Sequence, residues 1–101
     1  MIVVIGRVSC EADKRDALVA HLERMQEASR AEEGCIRYGF FAAVEDPLSF
    51  VAVEEWADRA ALDRHFEQPH LTEFAAGLGE LVSGAPEVAI HEIAGSSGFS
   101  G

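Results

Sequence analysis

A chain of 101 residues, 49% of them hydrophobic and 26% charged, is the size of one domain and carries too much apolar side chain to stay disordered. Its 18 acidic residues against 8 basic ones leave a formal net charge of -10, which repels phosphate backbones and anionic lipid and so excludes nucleic acid and membrane surfaces as partners. An apolar fraction near half in so small a globule predicts that part of its surface is covered by a second copy, a homodimer.

Residues 2–8 are almost continuously apolar and β-branched, the pattern of a strand covered on both faces. Met1 to Gly6 lack the basic start and cleavage site of a secretory signal, and no run of about 18 apolar residues follows to span a bilayer, so the expectation is a cytoplasmic protein. Cys10 and Cys35 form no C-x-x-C or zinc pattern and read as small hydrophobes in a reducing compartment. Between Asp13 and Glu33 the apolar residues Leu18, Leu22, Met25 and Ala28 recur at helical spacing, and Gly34 follows as a stop, which predicts a helix.

Residues 36–44 and 49–56 read as two strands joined through Glu45, Asp46 and Pro47 into a hairpin. Asp58 then caps a short helix in which Leu62, His65 and Phe66 share a face. Pro69 starts another, which carries Leu71, Phe74, Ala75, Leu78 and Val82 on one side and runs to the neighbourhood of Gly84 and Pro86. Residues 87–93 complete a fourth strand, and 95–101 have the composition of a flexible tail, leaving 1–94 as the single domain.

The order β-α-β-β-α-β predicts an α+β, ferredoxin-like fold: an antiparallel four-stranded sheet with its helices on one face. Because the strands are apolar at both parities, the other face also needs burial, and an identical sheet is the simplest cover.

Three pieces of the chain, Glu33 to Tyr38 within an E-x-G-C-x-x-Y pattern, Phe50 to Trp56 ending in E-x-W, and Ala60 to His70 within A-L-x-x-H followed by P-H-x-x-x-F, stand out. Together they resemble antibiotic biosynthesis monooxygenase domains. The resemblance implies a dimeric α/β barrel in which each protomer has its own pocket between sheet and helices. It also implies a cofactor-independent monooxygenase acting on a quinol or polyphenol with molecular oxygen, or an enzyme handling small signalling or sugar-like molecules.

Oxygenation without flavin or metal needs an electron-rich substrate that can lose a proton and then reduce oxygen directly; the protein supplies a dry pocket, an orienting hydrogen bond and a base. His65 and His70 are the candidate bases, since imidazole titrates nearest neutrality. Trp56, Tyr38, Phe66 and Phe74 are candidates to wall the substrate pocket and stack on a planar ring, and His21 could face it from the first helix. Each has a competing structural reading. His65 can be a packed histidine of its helix face, His70 a partner of a strand-end carboxylate such as Glu55, Trp56 a core residue, and His21 and His91 half-buried or interface groups.

A metal is not expected. His65 and His70 lie five apart across a proline break, whereas ligands on one helix turn need a spacing of three or four, and no carboxylate-histidine set is visible along the chain. Quinol-oxidising relatives place an amide on the strand before the tryptophan, where this strand offers only Phe50, Ala52 and Glu54 at that parity. Haem-degrading relatives use a set of Asn, Trp and His; Asn is absent here, which disfavours that activity. The alternatives to an oxygenase are an isomerase or lyase using the same histidines, and a dimeric binding module without catalysis.

Overall fold

In the hairpin's second strand, Phe50, Ala52, Glu54 and Trp56 are buried while Val51, Val53 and Glu55 between them are only half covered. Period-two burial of this kind means one sheet face carries the helices and the other does not. The structure, a computed structural model, describes residues 1–99; the last two residues of the expected tail lie outside the described residues.

The elements are β1 (Ile2–Ser9), a 3-10 turn (Ala12–Lys14), α1 (Arg15–Arg30), β2 (Cys35–Ala42), β3 (Ser49–Trp56), α2 (Arg59–Phe66), α3 (Pro69–Leu78) and β4 (Glu87–Glu92). The sheet runs β2-β3-β1-β4 with antiparallel neighbours, which is the ferredoxin-like arrangement. Ile2 stands opposite Trp56 and Glu92, and Val4 opposite Glu54 and Ile90, so the inner face is fixed by register.

Strand ends shift by one or two residues from the sequence expectation, and three helix ends differ from it. The Asp58 side chain accepts the Ala61 N–H at 2.9 Å and starts α2 as anticipated, but α3 ends at Leu78, well before Gly84. Gly77 and Gly79 make the last turn poor helix, and residues 79–83 continue as turns in which Leu81 and Val82 donate to the Leu78 carbonyl. At the other end of the helical layer α1 begins at Arg15 and stops at Arg30, so Glu32 belongs to a turn: its N–H donates to Ser29 and its carbonyl accepts from Cys35.

Two groups of buried side chains fill the space between sheet and helices. Ile2, Val4, Met25, Tyr38, Trp56, Ala61 and Leu62 lie toward α2, whereas Cys10, Leu18, Leu22 and Phe50 lie under α1. Phe40 and Phe74 pack against both groups. No residue of α3 is fully buried, and every residue of β4 is exposed. On the face turned away from the helices Val3, Ile5, Val51 and Val53 are half-buried and Phe41 is 59% exposed, so a single chain leaves this apolar surface uncovered.

The turn that carries Glu32 ends in Gly34, whose φ of 86° is the left-handed conformation, and a Cβ there would stand 2.5 Å from the Ala61 Cβ. Gly84 shares the positive φ, 74°, but has nothing within 4 Å. Gly84→Ala should therefore cost about 1–2 kcal/mol of backbone strain. Gly34→Ala should cost about 1–3 kcal/mol more through overpacking against α2. Urea unfolding of both variants measures the difference; equal losses would mean the Gly34–Ala61 approach has no energetic weight.

Candidate active site

Gly6 and Ala52 face each other at the centre of the inner sheet face, and their lack of bulk leaves a hollow that the helices roof without filling. The hollow is a cavity of about 150 Å3 lined by side chains of β1, β2, β3, α2, α3 and β4. Its walls are largely apolar, among them Val4, Phe40, Leu71 and Phe74, and partly exposed Phe66 and Val88 stand at its rim. Three polar side chains reach it from the buried core: Tyr38, Glu54 and His65.

Glu54 occupies an inward position of β3 and is 8% exposed. Its Oε1 accepts the Trp56 indole N–H at 3.0 Å. Burial pushes the carboxyl up to about 7, against the indole, which holds it down, and with the nearby Glu32 charge adding to the rise. Near neutral pH it is therefore a carboxyl group that can take or give a proton.

His65 projects from the buried face of α2 between Trp56 and Tyr38, with ring centroids 4.5 and 5.6 Å away. Its Nδ1 lies 2.6 Å from Glu32 Oε2, and its Nε2 lies 3.9 Å from Glu54 Oε1. Burial pushes the imidazole below its ordinary 6.5, opposed by the hydrogen bond and charge of Glu32. Burial also raises the Tyr38 phenol well above its ordinary 10, helped by the Glu54 charge, so it stays a hydroxyl. A neutral imidazole, a titrating carboxyl and a phenol hydroxyl thus line an apolar hollow.

His70, in the first turn of α3, lies 2.7 Å by its Nε2 from the same oxygen, Glu32 Oε2. Glu32, His65 and His70 bring their donor atoms within 4.8 Å of one another, a set of one carboxylate and two imidazoles that could hold a divalent transition metal. The expectation that no carboxylate-histidine set exists is therefore corrected. The carboxylate arrives from 33 residues before His65, which spacing along one helix cannot show. The 2.6 and 2.7 Å contacts are those of two hydrogen bonds to one oxygen.

Of the seven site residues picked from the sequence, Tyr38, His65, Phe66 and Phe74 come together around the cavity and three do not. His70 does not line the hollow; its partner is Glu32, not Glu55, which pairs with Arg37. Trp56 is fully buried in the core and reaches the site through its bond to Glu54 and its packing against His65. His21 stacks on the far side of Phe74, centroids 4.8 Å apart, and bonds the Phe74 carbonyl at 2.8 Å, in a surface groove between α1 and α3. Sequence reasoning missed Glu54 and Glu32 as site residues. The signals were present: a carboxylate at the buried parity of an apolar strand, and the first residue of the E-x-G-C motif.

The antibiotic biosynthesis monooxygenase family model matches residues 1–77. The Bacillus subtilis protein named "Putative monooxygenase YcnE" is 33% identical over 93 residues, covering 92% of this chain and 98% of its own. "Putative monooxygenase Rv0793" of Mycobacterium tuberculosis is 37% identical over 82 residues. Its solved structure superposes with a TM-score of 0.85 at 32% identity over 98% of both chains. A Deinococcus radiodurans structure described as a "putative antibiotic biosynthesis monooxygenase" reaches a TM-score of 0.93 over the full length of both chains, at 24% identity. An uncharacterised Synechocystis protein is 38% identical over 93 residues, and there the matched region spans only 63% of the relative's length.

The buried carboxyl can be tested without a substrate. An acid whose folded pKa is raised holds its proton more tightly when folded. The stability Glu54 contributes is thus fully present below its ordinary 4.5 and is lost as pH rises through about 7. His65 acts in the opposite sense: its contribution is present above 6.5 and lost as pH falls below that value. Glu54→Gln keeps the shape of the protonated acid, so it should be more stable than the wild type at about pH 8 and close to it at about pH 5. Thermal unfolding across that range reads the difference; parallel curves would show that Glu54 titrates as an ordinary surface acid.

Proposed function

The chain belongs to the antibiotic biosynthesis monooxygenase family, and we propose that it oxidises a small quinol or phenol with molecular oxygen in the sheet–helix cavity, without flavin or metal. The observation that carries the reading is the Glu54–His65 pair, 3.9 Å apart at one side of a largely apolar hollow. A phenol entering it meets a proton acceptor among largely apolar walls, and its anion is the species able to give electrons to oxygen.

The reaction balances with the protein acting only on protons. The substrate hydroxyl gives its proton to His65 Nε2 or to the Glu54 carboxylate, and the phenolate passes electrons to oxygen. A C–O bond then forms at the ring, and the O–O bond breaks. One oxygen atom stays on the product, which leaves as a hydroxylated quinone; the other takes the returned proton, departs as hydroxide, and becomes water with the proton lost from the ring carbon that formed the C–O bond. Tyr38 offers a hydroxyl to orient the substrate, and Phe40, Phe66 and Phe74 offer faces for its ring. A cavity of about 150 Å3 is the size of apolar cavities that hold one benzene ring, which favours a one-ring substrate over a polycyclic one.

The uncovered sheet face supports a homodimer, with Val3, Ile5, Phe41, Val51 and Val53 packing on the same residues of a second copy. The two free cysteines fit a reducing cytoplasm. A non-oxidative isomerase or lyase is the second reading, because a carboxyl titrating near 7 beside a neutral imidazole also suits proton transfer alone.

Oxygen uptake with 1,4-hydroquinone, in metal- and flavin-free buffer, should exceed the uncatalysed rate, and Glu54→Gln and His65→Ala should each lower it about 10²-fold. No rate above buffer across one- and two-ring hydroquinones would overturn the oxygenase, and turnover that persists without oxygen would favour the isomerase. Separately, native mass spectrometry should give a dimer for the wild type and a monomer for Val53→Glu, which places a charge in the centre of the proposed interface. A wild-type monomer at high concentration would remove the dimer.

A further inference from the structure

The cavity explains Tyr38, Glu54 and His65 but leaves Glu32 and His70 without work, although Glu32 is a carboxylate whose side chain is only 9% exposed. Both of its neighbours address one atom: Oε2 lies 2.6 Å from His65 Nδ1 and 2.7 Å from His70 Nε2. An ionised carboxylate oxygen can only accept, so each of these ring nitrogens must carry a hydrogen. In a neutral imidazole that requirement settles the other nitrogen. With the proton on Nδ1, His65 Nε2 holds a lone pair, and that nitrogen is on the side of Glu54 and the cavity.

We propose that Glu32 is the positioning residue of this site: seconded by His70, it holds His65 as the Nδ1–H tautomer with the Nε2 lone pair presented to the cavity as proton acceptor. His70 is the second donor that compensates the buried charge of Glu32, which explains why a histidine conspicuous in the sequence stands outside the hollow. The geometry locks from three sides. Glu32 is held in its turn by backbone bonds to Ser29 and Cys35, His65 is wedged against Trp56 on α2, and His70 is 26% exposed at the start of α3. The titratable groups that face His65 are Glu32 from that turn, Glu54 from β3, Tyr38 from β2 and His70 from α3.

The catalytic consequence rests on the oxygenase reading, whereas the tautomer does not, so the experiment has two arms. In the first, 15N NMR of the wild-type protein at about pH 8 should show His65 protonated at Nδ1 and unprotonated at Nε2. An Nε2–H tautomer or an imidazolium would overturn the proposal whatever the enzyme does, and no variant needs to fold for that result. In the second, 1,4-hydroquinone oxidation is compared in the wild type, Glu32→Gln and Glu32→Asp. Loss of the charge should lower kcat about 10²-fold with KM within about twofold. It should also move the acid limb of kcat/KM to lower pH, because the imidazolium loses its anionic partner, and Glu32→Asp should restore part of both. A fall in kcat with an unmoved limb would assign Glu32 a merely structural role and overturn the positioning claim. If the wild type oxidises no hydroquinone, the oxygenase reading falls while the NMR result still decides the tautomer.

Discussion

The bond from Glu32 to His65 is the contact on which the organisation of the site depends. It ties the turn after α1 to the buried face of α2, across the start of β2, and it exists only because α1 stops at Arg30. If the helix ran on to Glu33, as its composition allows, Glu32 would lie on a helix face and not in the turn that points it inward. Gly34, four residues beyond that stop, has the left-handed φ that turns the chain into β2, and its close approach to Ala61 brings the turn against α2. A glycine without catalytic chemistry thereby sets the position of two groups that have it.

The second constraint is the division of the sheet into two faces with different fates. On the inner face, large side chains at Trp56, Tyr38 and Phe50 surround the small pair Gly6 and Ala52, so packing is dense at the edges and absent in the middle. α3 closes that hollow without burying any residue completely, which leaves a cavity in place of a filled core. On the outer face the valines and isoleucines find no partner within one chain. Function and association thus fall to opposite sides of one layer, and each strand contributes alternate residues to both.

How much of this could be read from the sequence follows from which interactions are local. Strand parity, the Asp58 cap, the proline start of α3 and the topology depend on neighbours a few residues apart, and they were legible. Tyr38, His65, Phe66 and Phe74 could be grouped around one pocket because a family motif carries them. The Glu32–His65 and Glu32–His70 bonds join residues 33 and 38 positions apart, and no periodicity announces them. Reading the histidine pair alone led to the wrong reason for setting a carboxylate-histidine cluster aside, since the third member comes from another element. Trp56 and His21 were misplaced for a related reason: an aromatic ring near a site can serve it from behind, and side-chain direction is not encoded in spacing.

Glu54 was noticed in the sequence only as the absence of an amide, and its environment gives it another meaning. Two carboxylates approach His65, and they differ in how their charge is met. Glu32 has two imidazole nitrogens at hydrogen-bonding distance from one oxygen, His65 Nδ1 at 2.6 Å and His70 Nε2 at 2.7 Å. Glu54 is met by the Trp56 indole N–H and, more weakly, by the Tyr38 hydroxyl in a largely apolar wall, and burial outweighs both, which is why its carboxyl rises to about 7. The same imidazole therefore stands between one carboxylate bonded to two ring nitrogens and one that burial suits to changing its charge during a reaction. Separating two like groups by environment is a general way for a protein to assign them different tasks. Here the separation is made by which side of His65 each carboxylate occupies: the donor-rich turn or the dry sheet.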